Sequence, residues 1–199
     1  MTQAELDAKM RILLAAKKLF AVNGFDGTSV RQICDEAGTN VALVSYYFGG
    51  KENVFAALFD SFFPGERISD FFGQQLPPVE GVKLVVSEVV RFRKLDPEMA
   101  SITDQEVVTK SPRTHYLKRH VLPLWTKLRG MLETGREQGD FRFGSLDHAL
   151  LFVMGSILFP KNAHMVASLL VEEPLTVDQL VRETQIFVLR GLGAAVSED

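Results

Sequence analysis

Few residues in this chain have the types and spacing that covalent or metal chemistry requires. His115 and His120 are five positions apart and do not share a helical face, and His148 and His164 have no neighbouring ligand at a suggestive spacing. The sequence has one cysteine and contains no glycine-rich phosphate loop, nucleophile elbow or paired acid and histidine motif. We therefore predict no metal, no cofactor and no enzymatic activity, which leaves non-covalent recognition.

The segment 28–52 has the pattern of such recognition, with the sequence TSVRQICDEAGTNVALVSYYFGGKE. Val30, Ile33 and Ala37 fall at helical intervals and form one apolar stripe on a short helix. Gly38 ends that helix, because a residue without a Cβ adopts the left-handed backbone conformation at little cost. The pattern is typical of a helix-turn-helix, in which the second helix enters a groove of double-stranded DNA.

The second helix of this segment has an unusual outward face. Leu43 or Val44 and Tyr47 or Phe48 can face inward, while small apolar and hydroxyl-bearing side chains point away. Small apolar groups can meet thymine methyls, and hydroxyls can meet phosphates. The predicted DNA-contacting residues are Thr28, Ser29, Asn40, Val41, Ala42, Ser45, Tyr46, Tyr47 and Lys51. Of these, we expect Val41, Ala42 and Ser45 to face base edges, and Thr28, Tyr46, Tyr47 and Lys51 to hold phosphates.

The run from Arg11 to Phe59 resembles the N-terminal domain of the TetR (tetracycline-repressor) family of bacterial transcriptional regulators. The resemblance is carried by Gly24-Phe25, Thr28-Ser29-Val30, Ala37-Gly38, Tyr47-Phe48 and Lys51-Glu52. Two positions depart from the family pattern: Cys34 replaces the usual alanine, and Val41 stands where a lysine or another polar residue is frequent. The resemblance implies a repressor that binds a near-palindromic operator as a homodimer and is released by a small-molecule effector.

The rest of the chain also predicts helices, so the expected fold is all-α. Residues 1–63 would form a three-helix helix-turn-helix domain, and residues 64–199 a helical effector-binding and dimerisation domain, with the boundary at Pro64-Gly65. The first helix would bury Leu6, Met10, Leu13, Leu14, Phe20 and Ala21. Asp96-Pro97 and Ser145 are helix-start signals, and Pro123 should bend or break its helix.

The last two helices are apolar around much of their circumference. Leu150, Leu151, Val153, Met154, Ile157 and Leu158 lie on one, and Leu180, Ile186, Phe187, Leu189 and Leu192 on the other. Such a helix is either deeply buried or pressed against a second subunit. We predict a homodimer through these two helices; packing inside a monomer is the alternative.

A ligand pocket is implied by the family resemblance, in the middle of the chain. Its candidate lining residues are Phe92, Met99, Ile102, Tyr116, Trp125, Leu128, Phe152 and Met154. Plain hydrophobic core is the alternative for each of them, because aromatic and methionine side chains at helical spacing commonly fill volume.

Composition adds limits on location and partners. The net charge is −3, and the residues up to Asp60 contain six cations and seven acids. Attraction to phosphate must therefore come from local placement, and a helical protein-interaction module that binds no DNA is the alternative function. The longest apolar run, 149–159, is shorter than the roughly 20 residues that span a bilayer. We expect a cytoplasmic protein without membrane association.

Overall fold

The computed structural model describes residues 3–63 and 75–195, and every regular element within these ranges is helical. This confirms the all-α prediction. The helices are α1 (Gln3–Asn23), α2 (Val30–Ala37), α3 (Val41–Phe48), α4 (Lys51–Phe62), α5 (Pro78–Leu95), α6 (Pro97–Thr109), α7 (Thr114–Gln138), α8 (Leu146–Leu158) and α9 (Val177–Gly191), with a 3-10 helix at Phe159–Leu169. None of the described helices is long and apolar enough to cross a membrane.

The contacts divide the described residues into two units. The N-terminal unit contains residues 3–63 and 96–121, and the C-terminal unit contains residues 75–95 and 122–195. The predicted break at Pro64-Gly65 lies outside the described residues. The contacts assign α6 and the start of α7 to the N-terminal unit, whereas the sequence-based division put both in the second domain.

The N-terminal unit has an aromatic core built around α1. Ile12, Ala16 and Phe20 repeat every four residues and are 0% exposed. The Phe20 ring packs edge-on against Phe55 of α4, with 5.4 Å between ring centroids. The predicted stripe was wrong for Leu6, Met10 and Leu14, which are 45–47% exposed. Alanines at 8, 15 and 16 take their place, because small side chains let neighbouring helices approach α1 closely.

The C-terminal unit has a separate aliphatic core. Its fully buried side chains include Val82 and Val86 of α5 and Leu128 and Leu132 of α7. Helix α7 continues through Pro123 and does not break there. A proline removes one backbone donor, and the helix tolerates that loss here, with the neighbouring Leu124 buried.

Candidate nucleic-acid interface

The turn between α2 and α3 is built from local backbone chemistry. The Ser29 hydroxyl caps α2 by accepting a hydrogen bond from the Gln32 backbone N–H at 3.2 Å. The Gln32 side-chain oxygen in turn accepts a hydrogen bond from the Ser29 backbone N–H at 2.8 Å, which completes a capping box. Gly38 ends α2 with φ 61° and ψ 44°, the left-handed conformation expected for it. Asn40 then caps α3 by accepting a hydrogen bond from the Leu43 N–H at 3.0 Å. Each cap stabilises the start of its helix by about 1 kcal/mol.

One face of helix α3 packs in the core of the N-terminal unit, and the opposite face is exposed to solvent. Val44 is 0% exposed and packs in the core with Ile33 of α2, as the spacing predicted. Val41 is 50% exposed and Tyr46 is 76% exposed. Asn40, Ala42 and Ser45 are also exposed, so the side chains expected to face a partner are free to do so.

The two tyrosines of α3 differ in their surroundings. Tyr46 stands clear of the protein, while Tyr47 is half-buried and meets the Tyr46 ring edge-on at 5.2 Å between centroids. This contact restricts the rotamers that Tyr46 can adopt. A restricted phenol loses less entropy when its hydroxyl donates to an acceptor such as a phosphate oxygen.

Two of the predicted phosphate-binding side chains have other roles. Thr28 is 1% exposed, and its hydroxyl donates to the Gly24 carbonyl at 2.8 Å. The Lys51 Nζ donates to the carbonyls of Phe25 and Thr28 at 2.9 and 2.7 Å. It also lies 4.1 Å from the centroid of the Phe25 ring. These contacts hold the loop between α1 and α2. The prediction that both side chains hold phosphates is therefore corrected: both have a structural role in this loop.

The cations of α1–α4 are mostly engaged within the protein. Arg11 donates to the Ala37 carbonyl, Lys17 pairs with Asp96, Lys18 pairs with Glu36, and Lys9 lies over the Phe48 ring. Within the described part of these helices, Arg31 is the one cation whose side chain has no hydrogen bond, ion pair or ring contact. A free cation is therefore available at the start of α2 although the unit's net charge is not basic.

Arg31 also sits at an electrostatically unfavourable position. It is the second residue of α2, where the positive end of the helix dipole repels a cation. Its side chain is exposed, so no burial offsets that repulsion. An anionic partner would relieve it. The sequence carries this signal, since Arg31 follows two residues after the Ser29 cap.

The single cysteine belongs to the core of the motif. Cys34 is 2% exposed on the inner side of α2. Burial, with a smaller contribution from the neighbouring Asp35 carboxylate, raises the pKa of its thiol. Cys34 thus behaves as a small apolar side chain, and its departure from the family's alanine preserves the packing.

The predicted ligand-pocket residues are divided between the two units. Met99 and Ile102 are buried in the N-terminal unit, where Tyr116 is half-buried. The other five belong to the C-terminal unit: Phe92, Trp125, Leu128, Phe152 and Met154. Leu128 is fully buried with Trp125 packed against the same core, whereas Phe152 is 69% exposed.

Phe152 lines an open groove of about 790 Å³ on the C-terminal unit. The groove runs along α8 and α9, and its apolar walls include Leu151, Phe152 and Phe187, which are 60%, 69% and 68% exposed. Arg142, Ser145 and His148 form a polar end. These are the two helices whose excess apolar surface predicted a subunit interface.

The described ranges were expected to hold no metal site. No three histidine, cysteine or acidic side chains of those residues are grouped so that they could hold a metal ion.

Comparison with known proteins identifies the class that this geometry defines. The family model for bacterial regulatory proteins of the tetR family matches residues 12–58, which span the last part of α1 through most of α4. The chain is 27% identical over 175 residues to the HTH-type transcriptional repressor NicS of Pseudomonas putida, covering 80% of this chain and 78% of NicS. It is 37% identical over 71 residues to the HTH-type transcriptional dual regulator CecR of Shigella flexneri, covering 36% of this chain and 29% of CecR.

The similarity extends over the whole fold. The crystal structure of HlyIIR, a hemolysin II transcriptional regulator, matches with a TM-score of 0.73 and 29% identity, covering 90% of this chain and 97% of HlyIIR. The chain is therefore a helix-turn-helix regulator of transcription. Its residues 12–58 match the tetR family model, as the segment 28–52 predicted.

Proposed function

We propose that this protein is a repressor that binds a near-palindromic operator in double-stranded DNA as a homodimer and is released by a small-molecule effector. The observation that carries the proposal is the outer face of α3, where Val41, Ala42, Ser45 and Tyr46 are exposed on a helix held by caps at its start. The chain's relatives are transcriptional regulators rather than enzymes.

The mode of DNA binding follows from the chemistry of that face. Helix α3 enters the major groove, where the methyl groups of Val41 and Ala42 meet thymine methyls and the Ser45 hydroxyl meets a base edge. Tyr46 and Arg31 contact phosphates from either side of the groove. Tyr47 supports Tyr46 by the ring contact described above. Ser29 and Asn40 act mainly as caps and keep the two helices in register.

Dimerisation is proposed through α8 and α9. A single reading helix contacts a few base pairs, and a twofold dimer doubles the contacts by binding two half-sites. The groove along α8 and α9 exposes Leu151, Phe152 and Phe187, whose burial against a second copy would remove large apolar side chains from water.

An effector is proposed on the basis of the family resemblance. Of the candidate lining residues, Phe92, Trp125 and Met154 are half-buried in the C-terminal unit. Leu128 is fully buried in the core of that unit, which favours a packing role.

The experiment that tests the function is a salt series of DNA binding by the full chain. Fluorescence anisotropy would measure affinity for duplexes from the promoter of its own gene and for a random duplex between 50 and about 300 mM salt. We expect log K to fall linearly with log salt, because phosphate contacts release counterions. A salt-independent response would favour the protein-interaction alternative.

Tyr46→Ala refines the same measurement. Loss of a phosphate contact should weaken binding to the operator and to random DNA alike, by about threefold to tenfold. Because Tyr46 is exposed, the variant should unfold at the wild-type temperature. Unchanged affinity for both duplexes would remove Tyr46 from the interface.

A further inference from the structure

A buried arginine joins the α6–α7 corner to the loop that leads into the reading helices. The Arg113 side chain is 10% exposed, and its guanidinium carbon lies 3.9 Å from the centroid of the Phe25 ring. One terminal nitrogen lies 3.6 Å from the Asp26 carboxylate. Phe25 and Asp26 belong to the loop between α1 and α2, so Arg113 contacts the segment from which α2 starts.

Glu106 of α6 holds this arginine from the other side. Its carboxylate is 5% exposed and lies 3.6 Å from the Arg113 Nε. It also accepts a hydrogen bond from the Ser111 hydroxyl. The Ser111 oxygen in turn accepts the backbone N–H of Arg113 at 3.1 Å. The corner is thus a closed polar cluster that aims one guanidinium at the loop.

Folding stability alone does not explain this buried ion pair. The buried Arg113 Nε has no hydrogen-bond partner within the described residues. Removing two charges from water is costly, and apolar residues of similar volume frequently match or exceed such a pair in stability. What the pair provides and apolar residues would not is a directional contact with Phe25 and Asp26. The arrangement therefore favours a role in geometry.

Two cationic side chains from different elements hold this loop. Lys51 of α4 binds the carbonyls of Phe25 and Thr28, while Arg113 binds the side chains of Phe25 and Asp26. Gly27 lets the loop turn tightly, because a Cβ there would lie 2.3 Å from the Asn23 carbonyl oxygen.

Helix α6 also grips the end of α1. The side chains of Ser101 and Gln105 both donate to the Ala21 carbonyl, at 3.0 and 2.8 Å. Lys17 of α1 binds Asp96, which caps the start of α6. Helix α6 is therefore tied to α1 at its start and along its length, and Arg113 ties the corner that follows it to the loop.

We propose that Arg113 is a positioning residue for DNA recognition: it fixes the α1–α2 loop and, through it, the orientation in which α2 and α3 meet the operator. Arg113 does not touch DNA in this role. The proposal rests on the proposed function, since it concerns how the same reading helices are aimed. The proposal also gives α6 and the corner after it a part in DNA recognition.

The test removes both charges together. Arg113→Met with Glu106→Gln keeps the net charge, leaves no unpaired buried ion and preserves an acceptor for Ser111. The matched control is Lys83→Met with Glu80→Gln, which removes an exposed Lys–Glu pair on α5 whose side chains are 40% and 55% exposed. Affinity is measured well below the melting temperature of each variant, so that a purely structural role leaves it unchanged.

We expect the Arg113/Glu106 variant to bind the operator about tenfold more weakly while its affinity for random DNA changes less than twofold, because non-specific contacts tolerate a tilted helix. The control should match wild type in both. Arg113→Lys keeps a cation beside Glu106 but cannot lie flat on the Phe25 ring, and should lose about threefold. Wild-type operator affinity in both Arg113 variants would overturn the proposal.

Hydrogen exchange in the absence of DNA separates this proposal from the proposed function. Backbone amides of residues 24–32 should exchange at least tenfold faster in the Arg113/Glu106 variant than in wild type or the control. Unchanged protection would overturn the positioning role. Faster exchange in a protein whose wild type shows no salt-dependent DNA binding would uphold the loop restraint and reject the DNA-binding function.

Discussion

The outer face of α3 and the groove along α8 and α9 both expose apolar side chains, yet they suit different partners. On α3 the exposed groups are small or end in a hydroxyl, as in Ala42, Ser45 and Tyr46. In the groove they are large and purely apolar, as in Leu151 and Phe187. Size and polarity, more than exposure itself, distinguish a surface for a nucleic acid from a surface for another protein.

The charges near the two surfaces differ in the same sense. Arg31, in the first turn of α2, has no partner among the described residues, whereas Arg129 of α7 is paired with Glu133 and with Asp147 at the start of α8. An unpaired cation attracts phosphate, while paired charges around an apolar groove are typical of the rim of a protein interface.

The largest expected effect comes from placing a negative charge on the reading helix. Ala42→Asp should reduce operator affinity at least 100-fold, because the carboxylate would face base-edge acceptors and phosphates. The exposed site should leave the folded structure and the dimer intact, as checked by sedimentation velocity. Leu95→Asp, at a 68% exposed position at the end of α5, is the control and should bind as wild type. Wild-type affinity in Ala42→Asp would show that α3 does not enter the groove.

A charge in the groove should act on assembly first. Phe152→Glu should convert the dimer to a monomer at micromolar concentration, since a buried unpaired carboxylate is costly in an apolar interface. Operator affinity should fall at least tenfold because the two half-sites are no longer bound together. Leu122→Glu, at a 52% exposed site on α7, should remain dimeric. A dimeric Phe152→Glu protein would place the interface elsewhere.

Removing the free cation sharpens the first surface. Arg31→Met should weaken operator and random DNA by about the same factor, roughly threefold to tenfold, and reduce the slope of log K against log salt by about one. Lys18→Met is the matched control, since Lys18 already pairs with Glu36 at 2.6 Å. A salt slope equal to that of wild type would exclude a phosphate contact by Arg31.

The smallest expected effect is on the free energy of unfolding and concerns the half-buried His120. It should leave the outer face of α3 and the groove along α8 and α9 unchanged. Burial lowers the pKa of His120 below its ordinary value of 6.5, against the opposing influence of the Asp60 carboxylate and with Arg119 adding to the decrease. The folded state then binds fewer protons than the unfolded state below about pH 6.5, so the free energy of unfolding should fall as pH drops through this range. Urea unfolding of His120→Gln should show a weaker dependence on pH than wild type, and an equal dependence would contradict the assignment.

Local chemistry made the reading motif predictable. The stop at Gly38 and the caps at Ser29 and Asn40 depend on side chains and backbone within four residues of one another. Burial of Ile33 and Val44 followed from helical spacing alone. The same reasoning failed on α1, where two stripes of apolar residues compete and only the packing partners decide which is buried.

Roles that depend on distant partners were out of reach. Thr28 and Lys51 were expected to face phosphate, but Lys51 reaches back 26 and 23 residues to carbonyls that only the folded loop presents. Arg113 carries a charge, yet the structure buries it against Phe25 and Glu106, which lie far from it in the sequence or on another element.

The sequence by itself determined the helices α2 and α3 and the tight turn between them, because capping, left-handed glycine geometry and apolar spacing act between near neighbours. The tertiary structure decided which cations are left free and which side chains hold the α1–α2 loop in place. Those outcomes depend on distances between residues far apart in the chain, and such distances exist only after the helices have packed.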